Sequence, residues 1–421
     1  MNVVSEMFNG WIQVKTKTKV LIFFAIISII MVIQYLMPNI GQTHYMRMEP
    51  TGRGGVTYTF DASPSFHSNS SGNFYFSNRS GISMRTSNGD IRFSSSFSFN
   101  NPIMVARGDI VAIGEERGGR RIYVFNADGF MYRVDLEDPI MNFSVNEAGF
   151  LAVVVQFPTG HGIRVFNQRS STAPLYSRDI VGQAQTLWFP TSVEVSNNGR
   201  YIVVAIVDLY TTFRTHLQFG YINQVDGLGT GNVYGLFSAE TFHGQLVYDM
   251  RFMTDNRLVV VTRDRIICYQ INTRSYAVST QHELWSINLR NDLAQIGFYG
   301  NRHFIYVTGD RHLGEVDALP VGSIRIVNTD DGEETGYFNL GRRATHLSVG
   351  HGAVLIGADR SFHAIDLRGN HLWEHNVLYD VRGRDVIFLD NVDTILVAGA
   401  NRAEIFERNR VRVGEMESAF E

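Results

Sequence analysis

The amino-acid sequence predicts an all-β fold: an eight-bladed β-propeller, with seven blades as the alternative, preceded by one N-terminal transmembrane helix. Two observations carry the propeller. A short run of alternating apolar residues ending in Asn, Asp or another turn former recurs as ISMRT from Ile82, IYVFN from Ile122, IRVFN from Ile163, FGYIN from Phe219, CYQIN from Cys268, IRIVN from Ile324, FHAID from Phe362 and AEIFE from Ala403. The starts are 40, 41, 56, 49, 56, 38 and 41 residues apart. A strand-based repeat of roughly 40–50 residues marks a propeller, where each four-stranded blade buries its faces against its neighbours. The helix rests on a third observation, a run free of charge at 20–37.

That run reads VLIFFAIISIIMVIQYLM. As a helix rising about 1.5 Å per residue it spans roughly 27 Å, close to the hydrocarbon thickness of a bilayer. It exceeds the usual signal-peptide core and ends at Tyr35-Leu36-Met37-Pro38 without a small-residue cleavage site, so it reads as an uncleaved signal anchor. Lys15, Lys17 and Lys19 crowd its N-terminal flank, whereas Arg47 and Arg53 follow at a distance. The positive-inside bias therefore puts residues 1–19 in the cytoplasm and the propeller outside a cell membrane crossed once.

Residues 38–55 read as a tether, 56–413 as the propeller and 414–421 as a tail. Residues 60–101 are rich in Ser and Asn, yet Phe74-Tyr75-Phe76 and the Asn88-Gly89 turn keep hairpin spacing, and they count as an atypical first blade. Clearer blades follow at about 102–138, 140–181, from 185, and at 246–289, 294–340, 344–377 and 386–413. Within the fourth, an alternating strand, a turn at Asn197-Asn198-Gly199 and the apolar run 201–207 predict a first strand and a second strand buried on both faces.

Composition excludes several classes. A net charge of −4 and a pI near 6.4 leave no basic footprint for nucleic acid. The single cysteine, Cys268, permits no intrachain disulfide and reads as a small buried hydrophobe. No nucleophile elbow or other catalytic signature appears, so no catalytic, cofactor-binding or metal-ligating residue is assigned and no cofactor is expected. His371-Leu372-Trp373-Glu374-His375 has the order of an inverted zinc peptidase, but that chemistry needs a helix. In a strand the two histidines would stand roughly 13 Å apart, too far for one zinc. Gly227, Gly229 and Gly231 lack the strand-then-helix setting of a phosphate loop, and 328–333 reads as a hairpin turn in preference to a calcium loop.

Two blades carry long insertions, and loops on a rigid scaffold are where recognition concentrates. The candidate binding residues are Tyr210, Phe213, Arg214, His216 and Tyr221 in the fourth blade, and Asp310, Arg311, His312 and Glu315 in the sixth.

At 196–205, SNNGRYIVVA resembles the turn of WD-repeat-like and periplasmic translocation propellers. At 364–373, AIDLRGNHLW resembles the repeat of quinoprotein-like propellers, with Trp373 as its tryptophan. The resemblance covers roughly 56–413 and implies a membrane-anchored propeller of a family without assigned function. Its implied role is a non-catalytic platform for envelope proteins or cell-wall polymers. The alternative is a propeller hydrolase or lyase acting on envelope glycans, betrayed by several carboxylates of perturbed pKa at one channel mouth.

Overall fold

Seven four-stranded antiparallel sheets and an eighth of five strands follow one another along the chain in the computed structural model, which describes residues 44–58, 64–115, 118–181, 188–210, 213–222, 237–271, 283–312, 318–358, 361–376, 385–399 and 401–412. They occupy 65–96, 102–135, 140–181, 188–243, 247–288, 291–339, 346–376 and 385–412, the last completed by His44–Pro50. All eight predicted recurrences are third strands of blades. The predicted membrane span at 20–37 lies outside the described residues. Among those described, no helix is long and apolar enough to cross a membrane.

Apolar packing shows why eight is the number. The core divides into eight clusters, each shared by two consecutive blades, and the eighth joins Ile387 and Leu396 of the last blade to Phe66 and Phe74 of the first. The second strand of the fourth blade, Tyr201–Asp208, is buried at every position. Its side chains alternate between two neighbours: Ile202, Val204 and Ile206 pack with the third blade, Tyr201, Val203 and Ala205 with the fifth. A strand covered on both faces has no polar side to show, hence its unbroken apolar run.

The ring closes through the N-terminal segment. Residues 44–50, read from the sequence as tether, form the outermost strand of the eighth blade, and Val56–Thr57 pairs with the blade's third strand at Ala403 and Arg402. Thr51 donates its N–H to the Ile405 carbonyl, and Met48 is buried beside Phe406. The first and last parts of the propeller thus share one sheet, which leaves no unpaired seam between them.

Because strands alternate in direction, the ring has two faces. Each first strand begins at the upper face, which also carries the turns between second and third strands. The lower face carries the first-to-second and third-to-fourth turns. First-to-second turns reach across blade boundaries: Ser70 N–H and Oγ donate to Asp109 (2.7 and 2.9 Å), Asn146 Nδ2 to the Ser196 carbonyl (2.8 Å), and Asn198 N–H to Asp255 (2.8 Å). Gly199 makes the predicted turn possible: its φ is +68°, and a Cβ there would lie 2.1 Å from the Phe150 ring.

Trp373 has a counterpart that the sequence reading missed. ELWSIN and HLWEHN are both fourth strands, and the indoles of Trp285 and Trp373 donate to Thr329 and Val392 carbonyls of the next blade (3.0 and 2.9 Å). Cys268 is buried in the third strand of the fifth blade, and burial pushes its thiol up to about 12. Residues 328–333 form a turn in which Asn328 and Asp331 accept from the N–H groups of Asp330 and Glu333.

Candidate functional site

The fourth blade places its candidates at the upper face. Asp208 ends the second strand opposite Arg214, which starts the third. The Asp208 carboxylate accepts from Arg214 Nε (3.0 Å), lies 3.4 Å from His216 Nε2, and accepts from the Tyr210 backbone N–H (2.9 Å). Burial works against its charge, but these donors prevail and hold the carboxyl below its ordinary range. His216 also meets Thr241 Oγ1 at 3.0 Å and the Trp188 ring.

This buried anchor pins a turn whose side chains face solvent: Leu209, Tyr210 and Phe213 are 47, 62 and 38 % exposed. The Phe213 carbonyl accepts from Gly244 (2.9 Å), which brings in the strand connection bearing Leu246 and Tyr248, 39 and 53 % exposed. Five of the eleven large exposed apolar side chains among the described residues therefore gather at one boundary, between blades four and five. Clustered exposure of this kind marks interaction surfaces, whereas scattered apolar residues do not.

The sixth-blade insertion opens on the same face. Asn291 clamps its base, donating to the Gly309 and Leu319 carbonyls and accepting from Leu319 N–H (3.3, 3.1 and 3.0 Å). Asp292 receives His312 Nε2 at 3.2 Å and lies 3.7 Å from Arg263; Asp310 lies 3.5 Å from Arg343. Beside the insertion, a 190 Å³ groove lies between blades five and six, lined by Arg290, Asn291, Tyr306 and Arg325 among others. Seven candidates thus share the upper face on blades four and six, with blade five between them. Tyr221 does not join them. It ends its strand at the lower face and packs edge-on against Tyr201, with centroids 5.2 Å apart. Glu315 and the turn at 227–231 lie outside the described residues.

Sequence reading missed the charges inside the bore. Arg107 in the second blade pairs with Glu194 in the fourth (3.1 Å), and Arg251 in the fifth with Glu147 in the third (3.5 Å). Each pair skips a blade, so the side chains bridge past the intervening blade near the lower end of the bore. Arg251 also lies over Phe298 of the sixth blade, 4.8 Å from the ring centroid. Burial pushes Glu194 up to about 7 despite Arg107, with Asp249 adding a like charge. Asp249 is likewise raised by burial. Burial and the neighbouring Arg107 lower Arg251 to about 10. The space beside these groups amounts to about 10 Å³, room for roughly one water molecule. Single arginines and glutamates on separate first strands, or in the turn that follows one, carry no spacing signal, so only the ring reveals them as a set.

A third cluster lies on the seventh blade. His371 and Glu374 of the zinc-peptidase-like string do share a face, and their partner is His363 on the adjoining strand; the three offer ligand atoms within 4.8 Å of one another. The expectation that the string's two histidines cannot share a metal is consistent with its strand setting, where His375 instead meets the Phe406 ring. His363 was not among the residues weighed from the sequence. Its signal was the alignment of FHAID with HLWEH across the Asp366–Asn370 turn.

Fold and surfaces together define an eight-bladed β-propeller. The Dos1 propeller is similar to it at a TM-score of 0.52 and 9% identity, covering 86% of this chain and 95% of that one. The C-terminal WD40 domain of Sif2 is similar at a TM-score of 0.52 and 10% identity, over 86% and 98%. No curated protein matches the sequence. Residues 59–407 match the model of a family of unknown function (DUF5711), and the chain belongs to that family.

Proposed function

We propose that this propeller is a non-catalytic binding platform, tethered outside a cell membrane by the 20–37 segment, that captures an envelope protein through the upper face of blades four and five. The observation that carries the reading is the gathering of Leu209, Tyr210, Phe213, Leu246 and Tyr248 around a turn fixed by Asp208. Aromatic side chains held on a rigid scaffold are the kind that dominate binding energy in protein interfaces. The charged rim from Arg263 to Arg343 would supply orientation more than affinity. A cell-wall polymer in place of a protein is an outcome the same test identifies.

With the full chain in detergent as bait for envelope extracts, the expected result is a defined partner whose recovery falls at least tenfold in the Tyr210→Ser/Phe213→Ser/Tyr248→Ser variant. Equal recovery by the variant would overturn this surface. The tether has its own check: protease added to intact cells should digest the propeller, and full protection would reverse the proposed orientation.

The rival reading, a hydrolase or lyase acting on glycans, draws on Glu194 and Asp249, whose raised pKa values suit general acid–base work. Against it stands the volume beside them, about 10 Å³, far below the roughly 300–1,000 Å³ of typical ligand pockets.

A further inference from the structure

We propose that His363, His371 and Glu374 form a site for a late first-row divalent cation of the zinc type on the outer strands of the seventh blade. In a regular strand His371 and Glu374, three residues apart, would point to opposite faces. Here the register shifts between Ala364 and Ile365: His363 stands opposite Glu374, Ala364 opposite Trp373, but Ile365 opposite His371. The extra residue in the bulge turns His371 to the face that Glu374 and His363 occupy.

The geometry suits one ion. His363 Nδ1 lies 3.5 Å from His371 Nε2 and 3.9 Å from Glu374 Oε2. Donor atoms bound to zinc at about 2.0–2.2 Å in a tetrahedron stand roughly 3.3–3.6 Å apart, and with all three ligand atoms within 4.8 Å of one another, side-chain movements of about an ångström or less would complete three corners. Two imidazoles and a carboxylate are a ligand set that zinc accepts, with the fourth corner left for water or a partner's side chain.

Surrounding groups orient the ligands as second partners do in metal centres. Buried Ser361 donates its only hydroxyl proton to Glu374 Oε1 (3.3 Å) and therefore accepts from His363 Nε2–H (3.0 Å). That assignment leaves the lone pair of His363 Nδ1 facing the site. Asn376 Nδ2 also donates to Glu374 Oε1 (3.2 Å), leaving Oε2 for the ion. Phe338, from the sixth blade, stacks on His371 with ring planes 16° apart and walls the other side.

The test uses the untagged full chain in detergent and zinc chloride, with cobalt(II) as the spectroscopic probe. One zinc per chain should bind, with a Kd on the order of micromolar, and cobalt should give d–d absorption in the visible. His371→Ala and Glu374→Gln, at exposed positions, should each weaken zinc binding at least a hundredfold while keeping the thermal melting profile. Ser361→Ala should weaken it about 10–100-fold, and His375→Ala, whose ring faces Phe406, should leave it unchanged. Absence of stoichiometric binding to the unaltered chain, or undiminished affinity in both His371→Ala and Glu374→Gln, would overturn the site.

Discussion

Replacing Arg107 with alanine should cost the propeller about 3–5 kcal/mol at pH 8, the magnitude of leaving one member of a buried ion pair without its partner. Glu194 is only 7 % exposed at its side chain and Arg107 23 %, so the carboxylate left behind has little water to fall back on. Burial opposes the Arg107 charge, but Glu194 and Asp249 outweigh it and hold the guanidinium above its usual range. Removing Arg107 leaves two carboxylates facing each other in the bore. The double replacement Arg107→Met/Glu194→Met should cost less than the single change, because both desolvated charges leave together. Urea denaturation of the three variants checks this, and a double variant weaker than Arg107→Ala would refute it.

A pH dependence follows from the same group. Glu194 holds its proton up to about pH 7 in the fold, whereas in the unfolded chain it ionises near 4.3. Between those values the native state binds more protons than the unfolded one, so stability falls as pH rises. The penalty is absent below about pH 4 and complete above about pH 7. Asp249, raised by burial, acts in the same direction. Glu194→Gln should flatten the slope of melting temperature between pH 5 and pH 7. The cost of Arg107→Ala should shrink at pH 5, where Glu194 becomes neutral.

Tyr58→Ala should cost about 3–5 kcal/mol, the range for truncating a large buried aromatic. Tyr58 is 8 % exposed, packs against Phe66 and Phe76, and donates its hydroxyl to the Gly399 and Arg402 carbonyls at 2.7 and 3.1 Å. It therefore ties the first blade to the last. Tyr58→Phe keeps the ring and loses only the hydroxyl contacts, so about 1–3 kcal/mol should go. Chemical denaturation separates the two: equal losses would mean that the ring contributes nothing to closure.

Repetition made the fold readable from the residues. A third strand must bury alternate positions against its neighbours and then turn, so IYVFN, IRVFN and IRIVN announce themselves wherever they fall. Contacts between distant blades have no such signature. His44–Pro50 offers no apolar alternation, and only its place beside the third strand of the eighth blade makes it part of the sheet. Loop length directed attention to Tyr210, Phe213, Arg214 and His216, which lie together at the upper face because an insertion in a fixed ring must emerge at a face. Tyr221 stands apart from them, since the eight-residue strand Arg214–Tyr221 carries the chain from one rim to the other. Arg107, Glu147, Glu194 and Arg251 meet only because the sheet circle brings the second, third, fourth and fifth blades round a common axis. His363 was hidden for a smaller reason: one bulged residue reverses which way His371 points, and composition does not reveal a bulge.

The ion pairs from Arg107 to Glu194 and from Arg251 to Glu147 link blades two to five past their immediate neighbours. A disturbance in any one of these four blades therefore reaches two blades away without passing through the sheet between, on the arc of the ring that also carries Tyr210 and Phe213.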